Sequence, residues 1–353
     1  LDLPPGSEVL MSALTIRDMV RIVDGHGLVP VPVDLDPRTL AVSPEALARA
    51  VSPKTRAIVV AHLFGSRMPM EPVVRFARER NLFVIEDCAQ AYTGDEHRGH
   101  PESDVSFWSF GPIKTATALA GGVLRFRDGA LCERVRSLQS GWPVQSRWRF
   151  MTRLAKYSFL NLLSYVSVFT LFVWACKAVG KSHDAVISAS VRGFAGPGFF
   201  DRIRQQPSTP LLRLLERRFE NFDRSKIAER TRLAQHAIAL LPNLERPGDA
   251  AAFHSYWVFP VLSDDPERMI HALWARGIDA TRGASSLSVV APPGDRPETG
   301  PEEALAMFAR LLYVPVESGL GLRGVERLAR AVHEIPLPPQ EERPHADRPI
   351  LAP

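Results

Sequence analysis

Cysteines are scarce in this chain: its 353 residues include only three, at Cys88, Cys132 and Cys176. They are too few and too scattered for a disulfide framework or a zinc site. We therefore expect no bound metal and a protein that works in the reducing cytoplasm.

Other features are missing too. The formal net charge is only +4, so composition gives no reason to expect a nucleic-acid partner. No N-terminal signal peptide is visible. The chain opens on Leu1 rather than methionine and enters a strand almost at once, so we expect a fragment of a longer protein. The apolar content of 45% and charged content of 23% are typical of soluble globular proteins, and the length allows two domains.

Short apolar runs alternate with helical patterns over the first 140 residues. This spacing predicts an α/β fold, with a mainly parallel sheet covered by helices on both faces. The predicted strands are Glu8–Ser12, Leu28–Val33, Thr55–Ala61, Leu82–Glu86, Val105–Ser109 and Val123–Phe126, and the predicted helices are Ile16–Gly25, Pro44–Val51, Pro69–Arg80 and Gly129–Ser140.

A second, smaller α/β unit is predicted after a long amphipathic helix, Leu211–Leu241, which we expect to break near Phe222 and Asp223. We assign residues 1–215 to a large domain and 216–335 to a small C-terminal domain. Proline and charge are dense beyond residue 335, so 336–353 is predicted to be a mobile tail. The later elements are a strand at Ser255–Val261 and helices at Pro266–Arg276, Glu302–Leu312 and Gly324–Val332.

An apolar insertion at about 150–180 contains twenty residues without a charge, Tyr157–Cys176. Polar residues at helical spacing (Ser158, Asn161 and Tyr165) favour a core or subunit-interface helix. The basic flanks also suit a helix lying on the inner face of a membrane. A spanning helix is the least favoured interpretation, since it would separate Lys114 from the C-terminal α/β unit.

Four polar residues follow or end two neighbouring predicted strands. Asp87 and Gln90 lie in Val84–Gln90, and Ser109 and Lys114 lie in Ser106–Lys114. Ligands bind at the carboxyl edge of open α/β sheets, so these side chains are expected to meet there. Singly, each has an ordinary explanation as a helix cap, a surface amide or a solvated loop lysine.

Together the four residues suit pyridoxal phosphate. Lys114 supplies an amine for the aldehyde, and burial after an apolar strand should lower the pKa of that amine. Asp87 would keep the pyridine nitrogen protonated, so that the ring can absorb electrons. Ser109 and backbone N–H groups of its turn could hold the phosphate, and Gln90 could donate to the ring hydroxyl.

The segments Glu86–Gly94 and Trp108–Lys114 resemble landmarks of the DegT/StrS-type sugar aminotransferases, as do Pro30–Asp34 and Ala61–Gly65. The resemblance implies the fold-type-I fold of pyridoxal-phosphate-dependent transferases and a homodimer. It also implies transfer of an amino group from glutamate to a nucleotide-linked keto-sugar, in polysaccharide or secondary-metabolite biosynthesis. The family's dehydratases carry histidine in place of the lysine, so Lys114 favours transamination.

In this resemblance Lys114 is the lysine that bonds covalently to the cofactor, and Asp87 is the partner of the pyridine nitrogen. Gln90 is a ring-oxygen partner, and Ser109 is a phosphate ligand. His62 and Arg98 are candidate substrate contacts, although each such residue is more often an ordinary surface residue or one that supports a site from behind.

Two other functions stay open. The first is a non-catalytic scaffold or sensor, with association with a membrane as one option, which is favoured by three departures from the family. The chain begins after the family's Gly-Thr phosphate-binding segment, Leu119 and Ala120 replace part of a Gly-Glu-Gly-Gly segment, and Tyr157–Cys176 has no counterpart. The second is a pyridoxal phosphate enzyme of another reaction type, which the cofactor residues alone cannot separate from an aminotransferase.

Overall fold

The computed structural model describes residues 1–163, 165–178, 198–283 and 286–335. Its main sheet has six strands in the order β3-β1-β4-β5-β6-β7, all parallel except β7, which pairs antiparallel with β6. The strands are β1 Glu8–Ser12, β2 Leu14–Ile16, β3 Val29–Val33, β4 Thr55–Ala61, β5 Phe83–Asp87, β6 Val105–Ser109, β7 Gly122–Phe126, β8 Phe259–Leu262, β9 Leu287–Val289 and β10 Leu311–Val314.

Helices cover the sheet and build the C-terminal part of the chain. Several start at residues suited to the role: Ser43 accepts a hydrogen bond from Ala46 N (3.0 Å), and Pro44 occupies the first turn that follows. The described helices are α1 Arg17–Asp24, α2 Pro44–Ala50, α3 Glu71–Glu79, α4 Gly129–Ser140, α5 Arg147–Leu162, α6 Val166–Ala178, α7 Phe199–Ile203, α8 Thr209–Glu220, α9 Ser225–Leu240, α10 Pro266–Trp274, α11 Glu302–Arg310 and α12 Gly321–His333.

The predicted mainly parallel sheet is confirmed. Leu10, Val31, Ile58 and Val84, from four adjacent strands, are fully buried in one core cluster. Helices α2 and α3 pack over this side of the sheet, which explains why these strands are apolar almost throughout.

The C-terminal part has a core of its own. β8 and β10 pair antiparallel, α9 packs against α12, and Leu233, Val261, Leu273 and Leu312 lie at the centre of this cluster. We keep the division at residue 215 as a proposal, supported by this separate core and by the packing of Leu215 against the large part. The predicted tail at 336–353 lies outside the described residues.

Several local predictions are wrong. The predicted helix Glu302–Leu312 stops at Arg310, because the chain enters β10 at Leu311. The short strands β2 and β9, which pair antiparallel with each other, were not predicted. The predicted break in the long helix is confirmed, since α8 ends at Glu220 and α9 begins at Ser225.

The apolar stretch forms parts of two helices, α5 and α6, rather than one. In the part of the chain that the structure describes, no helix has both the length and the apolarity needed to cross a membrane. Both helices expose large apolar side chains, including Trp148 at 75% and Trp174 at 73%. Both helices therefore expose an apolar face, although Phe150 of α5 is buried in a core cluster with Trp108 and Phe110.

Candidate active site

Asp87 is the last residue of β5, at the carboxyl edge of the sheet. It pairs in register with Ala61 on β4 and with Phe107 on β6, so it occupies a central strand. Residues 88–94 form no helix or strand, and the chain turns at Ala89 and Gln90. Asp87 Oδ1 accepts a hydrogen bond from Ala89 N (2.9 Å), so the carboxylate caps this turn and is itself buried.

Lys114 lies in the turn that follows β6. Its backbone N–H donates to Gly111 O (3.1 Å), and its side chain passes over Trp257, with Nζ 4.5 Å from the ring centroid. Trp257 Nε1 also donates to Ile113 O (3.1 Å), so one tryptophan contacts the amine and fixes the backbone beside it. Sequence reasoning missed Trp257, because its segment was interpreted only as a strand.

Asp87 and Lys114 are close enough for their charges to act on each other. Burial lowers the pKa of Lys114, and the Asp87 carboxylate partly offsets that effect. Burial raises the pKa of Asp87, against the opposing influence of the Ala89 N–H, Lys114 and His62. The sheet edge therefore holds an amine that gives up its proton more readily than a solvated lysine.

Ser109 and Gln90 lie at the ends of neighbouring strands, Ser109 as the last residue of β6 and Gln90 in the turn after β5. Ser109 ends β6, and its Oγ lies 3.9 Å from the point where a Cβ on Gly111 would be, so the hydroxyl faces the lysine turn. Gln90 is buried in the turn after Asp87, and its Oε1 accepts from Phe64 N (2.7 Å). Among the described residues, no hydrogen bond joins Gln90 to the other three.

The two candidate substrate contacts lie elsewhere. His62 is buried, its Nε2 is 2.9 Å from Glu86 Oε1, and its Nδ1 accepts from Met68 N (3.2 Å). Both ring nitrogens are thus engaged inside the protein, which favours a supporting role for His62 over a direct substrate contact. Arg98 is exposed and donates through Nε to Asp95 O (3.2 Å).

A polar cavity of about 360 Å³ opens beside the lysine turn, at residues 115–117. Arg218, Lys226 and Arg230 line it. Arg218 Nε donates to Thr117 O (2.9 Å), and burial lowers the pKa of Arg230 to about 10. Three cations near one turn favour an anionic ligand, although Asp223 and Glu317 also line the cavity.

Residues 1–157 match the model of the DegT/DnrJ/EryC1/StrS aminotransferase family. The resemblance seen in the motifs is confirmed for this part of the chain. The matched segment includes Asp87, Gln90, Ser109 and Lys114.

Two curated relatives likewise match only part of this chain. The GDP-perosamine synthase of Escherichia coli O157:H7 is 36% identical over 137 residues, which are 38% of this chain and 37% of that protein. The L-glutamine:2-deoxy-scyllo-inosose aminotransferase of Micromonospora echinospora is 36% identical over 140 residues, 38% of this chain and 33% of that protein. The aligned segments span 30–45% of the length of the relatives compared.

Solved structures share the fold over nearly the whole chain. The sugar aminotransferase CalS13 from Micromonospora echinospora superposes with a TM-score of 0.64 at 20% identity, covering 93% of this chain and 80% of that one. NtdA from Bacillus subtilis, solved with bound cofactor PMP, gives 0.64 at 18% identity, covering 94% and 68%. The predicted fold-type-I architecture is confirmed.

Proposed function

We propose that this chain is a pyridoxal-phosphate-dependent aminotransferase. The observation that carries the proposal is the placement of Asp87 at the end of β5 and of Lys114 in the turn after the adjacent strand β6, both at the carboxyl edge of the sheet. An enzyme of this kind needs an amine that is unprotonated for part of the time and an acid that stays ionised beside it. The family match of residues 1–157 supports the same function.

The side chains present fit the cofactor. Asp87 offers a carboxylate with one oxygen capped by Ala89 N, and Lys114 offers a half-buried amine nearby. The Ser109 hydroxyl faces a turn where Gly111 leaves open space, which suits a phosphate. Gln90 would contribute its amide N–H groups. Bound here, the cofactor would supply a ring that accepts electrons from the substrate Cα.

This chain's own residues would handle the proton. Lys114 would act first as a general base, accepting the proton from the substrate Cα. It would then act as a general acid and donate the proton to the cofactor carbon. Trp257 would limit where the amine can move, since it contacts both Nζ and the turn. The Asp87 carboxylate would stabilise the protonated, positively charged form of the cofactor's ring nitrogen.

The substrates we propose are glutamate as amino donor and a nucleotide-linked keto-sugar as acceptor, in polysaccharide or secondary-metabolite biosynthesis. The names of the relatives support a sugar substrate. The cavity beside residues 115–117 supports an anionic one, because Arg218, Lys226 and Arg230 line it. Lys226→Gln should then raise the KM for a nucleotide-sugar and change kcat little, whereas equal KM values would remove this cavity from the proposal.

A spectroscopic half-reaction tests the function directly. The purified chain, loaded with pyridoxal phosphate, should show a visible absorption band that shifts to the pyridoxamine form when glutamate is added. Lys114→Ala should abolish the protein-bound band, whereas Lys54→Ala, at an exposed lysine, should leave it unchanged.

Other outcomes would favour the alternatives. A band that glutamate does not alter would favour a pyridoxal phosphate enzyme of another reaction type. Failure of the wild-type chain to form any band would favour the non-catalytic scaffold or sensor.

We also propose a cytoplasmic homodimer. The exposed apolar side chains of α5 and α6, among them Trp148, Phe159 and Trp174, support an unpartnered face that a second subunit would cover. Sedimentation should give twice the chain mass, and Trp148→Glu should reduce it. Flotation of the protein with anionic liposomes would instead support contact with the inner face of a membrane.

A further inference from the structure

Two histidines, a glutamate and a cysteine meet directly behind Asp87, in a cluster formed by His62, Glu86, Cys88 and His97. One potential ligand atom from each lies within 4.8 Å of all the others. Cys88 Sγ and His97 Nε2 are 3.8 Å apart, and His97 Nε2 and Glu86 Oε1 are also 3.8 Å apart. The proposed transamination uses none of these four side chains.

His62 is not a free ligand in this cluster. Its Nδ1 accepts the Met68 N–H (3.2 Å), so the proton of the neutral ring lies on Nε2. Nε2–H then donates to Glu86 Oε1 (2.9 Å). This arrangement orients the carboxylate, which is the usual role of a side chain that supports a metal ligand.

The other three residues have the chemistry and spacing of a zinc site. Bonds of about 2.0–2.3 Å to zinc place neighbouring atoms of a tetrahedron about 3.3–3.7 Å apart. The 3.8 Å separations from His97 to Cys88 and to Glu86 need only a small contraction. A thiolate, an imidazole and a carboxylate together suit zinc. Mg²⁺ and Ca²⁺ prefer sites built from oxygen ligands alone, so this set of ligands does not suit them.

Charge and access also fit a divalent ion. Glu86 is fully buried, and its carboxylate accepts hydrogen bonds from His62 Nε2, the His100 N–H and the Ser106 hydroxyl. A carboxylate and a thiolate would match two positive charges. His97 is 18% exposed and lines an open cavity of about 610 Å³, which gives an ion a route inward.

Arg67 is the neighbouring cation, and its charge acts on both Cys88 and His97. Its positive charge would repel a metal ion bound nearby. The guanidinium, however, donates a hydrogen bond to Thr93 Oγ1 and lies over the Phe253 ring. Its Nε is buried without a hydrogen-bond partner among the described residues.

We propose that Glu86, Cys88 and His97 bind one Zn²⁺, with His62 positioning Glu86 and a water as fourth ligand. Binding would release the proton of the Cys88 thiol to solvent and form the S–Zn bond. The ion would fix the loop around His97 to the end of β5, next to Asp87. The spacing of the three cysteines did not predict this site, because only one of the three proposed zinc ligands, Cys88, is a cysteine.

Cobalt substitution tests this site without any use of the proposed activity. Co²⁺ is titrated into chelator-treated full-length protein, and its thiolate charge-transfer band is recorded. In Cys132→Ser/Cys176→Ser, Cys88 is the only remaining cysteine. This variant should bind one equivalent of Co²⁺ and show the band. Adding Cys88→Ser should abolish it, with the far-UV circular dichroism unchanged.

A second arm avoids any folding defect at the buried cysteine. His97 is partly exposed, so His97→Gln should fold, and its Kd for Co²⁺ should rise at least about tenfold. Excess Zn²⁺ should displace the cobalt and erase the band. The site is wrong if the variant with Cys88 as sole cysteine shows no band, if the band survives Cys88→Ser, or if His97→Gln binds Co²⁺ as tightly as the parent.

Discussion

Asp87 and Lys114 illustrate how burial and charge set the chemistry of single side chains. Each is taken out of water, which disfavours its charged form, and each is partly compensated by the other. The balance leaves the amine easier to deprotonate than a free lysine. Removing the Asp87 charge should therefore lower the pKa of Lys114, and removing the Lys114 charge should raise the pKa of Asp87.

Asp87→Asn should lower the pKa of Lys114 further, because it removes the carboxylate that favours the ammonium form. The measurement is the pH dependence of the acetylation rate of Lys114 in cofactor-free protein, read by peptide mass spectrometry. Exposed Lys54 serves as internal reference, and Asp295→Asn, at an exposed acid, as control. A Lys114 pKa that stays the same or rises in Asp87→Asn would contradict the interaction.

The sequence predicted the position of candidate site residues correctly where those residues lie at the end of a strand. Asp87 and Ser109 end adjacent strands, so strand prediction alone brought them to one edge. Trp257 reaches Lys114 from a distant part of the chain through tertiary packing, and a single sequence contains no local signal for that contact. The burial of His62 escaped prediction for the same reason.

Helices and strands were predicted well where local signals agree with tertiary packing. α2 begins at a serine followed by proline, and α4 spans the predicted residues. No helix follows Asp87: the chain turns at Ala89 and Gln90, and Gln90 Oε1 accepts a hydrogen bond from Phe64 N. The three-residue strands β2 and β9 are too short to leave a periodic pattern and depend on each other for pairing.

Ser43→Ala should destabilise the protein by about 1 kcal/mol, because Ala46 N would lose its capping acceptor at the start of α2. Urea unfolding with an unchanged m-value would report this loss. Ser43→Asp, which retains a capping oxygen, should restore most of the stability. The capping argument is wrong if the alanine and aspartate variants unfold at the same midpoint.

The stability of the molecule as a whole should fall in mild acid. His254 is half-buried, its Nδ1 accepts the Tyr256 N–H (2.9 Å), and burial, followed by the charge of Arg230, lowers its pKa from 6.5 to about 4. The unfolded chain thus binds a proton at 254 before the folded protein does. Stability associated with this group is fully present above pH 6.5 and is lost as the pH falls to about 4.

His254→Asn should flatten this part of the pH profile, since asparagine accepts the same N–H but does not titrate. The effect should be on the order of 3 kcal/mol between neutral pH and pH 4. Chemical denaturation at a series of pH values would measure it, with His271→Asn, at an exposed histidine on α10, as the matched control. Parallel pH profiles for wild type and His254→Asn would refute the assignment.

The proposed cofactor would bind one lysine among the six in the chain: Lys54, Lys114, Lys156, Lys177, Lys181 and Lys226. Reduction of the protein with borohydride in the presence of stoichiometric pyridoxal phosphate fixes the cofactor to the lysine that holds it, and peptide mass spectrometry locates the adduct. We expect one adduct per chain at Lys114 and its loss in Lys114→Arg; this result would support Lys114 as the lysine that binds the cofactor. An adduct spread over several lysines, or concentrated on another one, would contradict it.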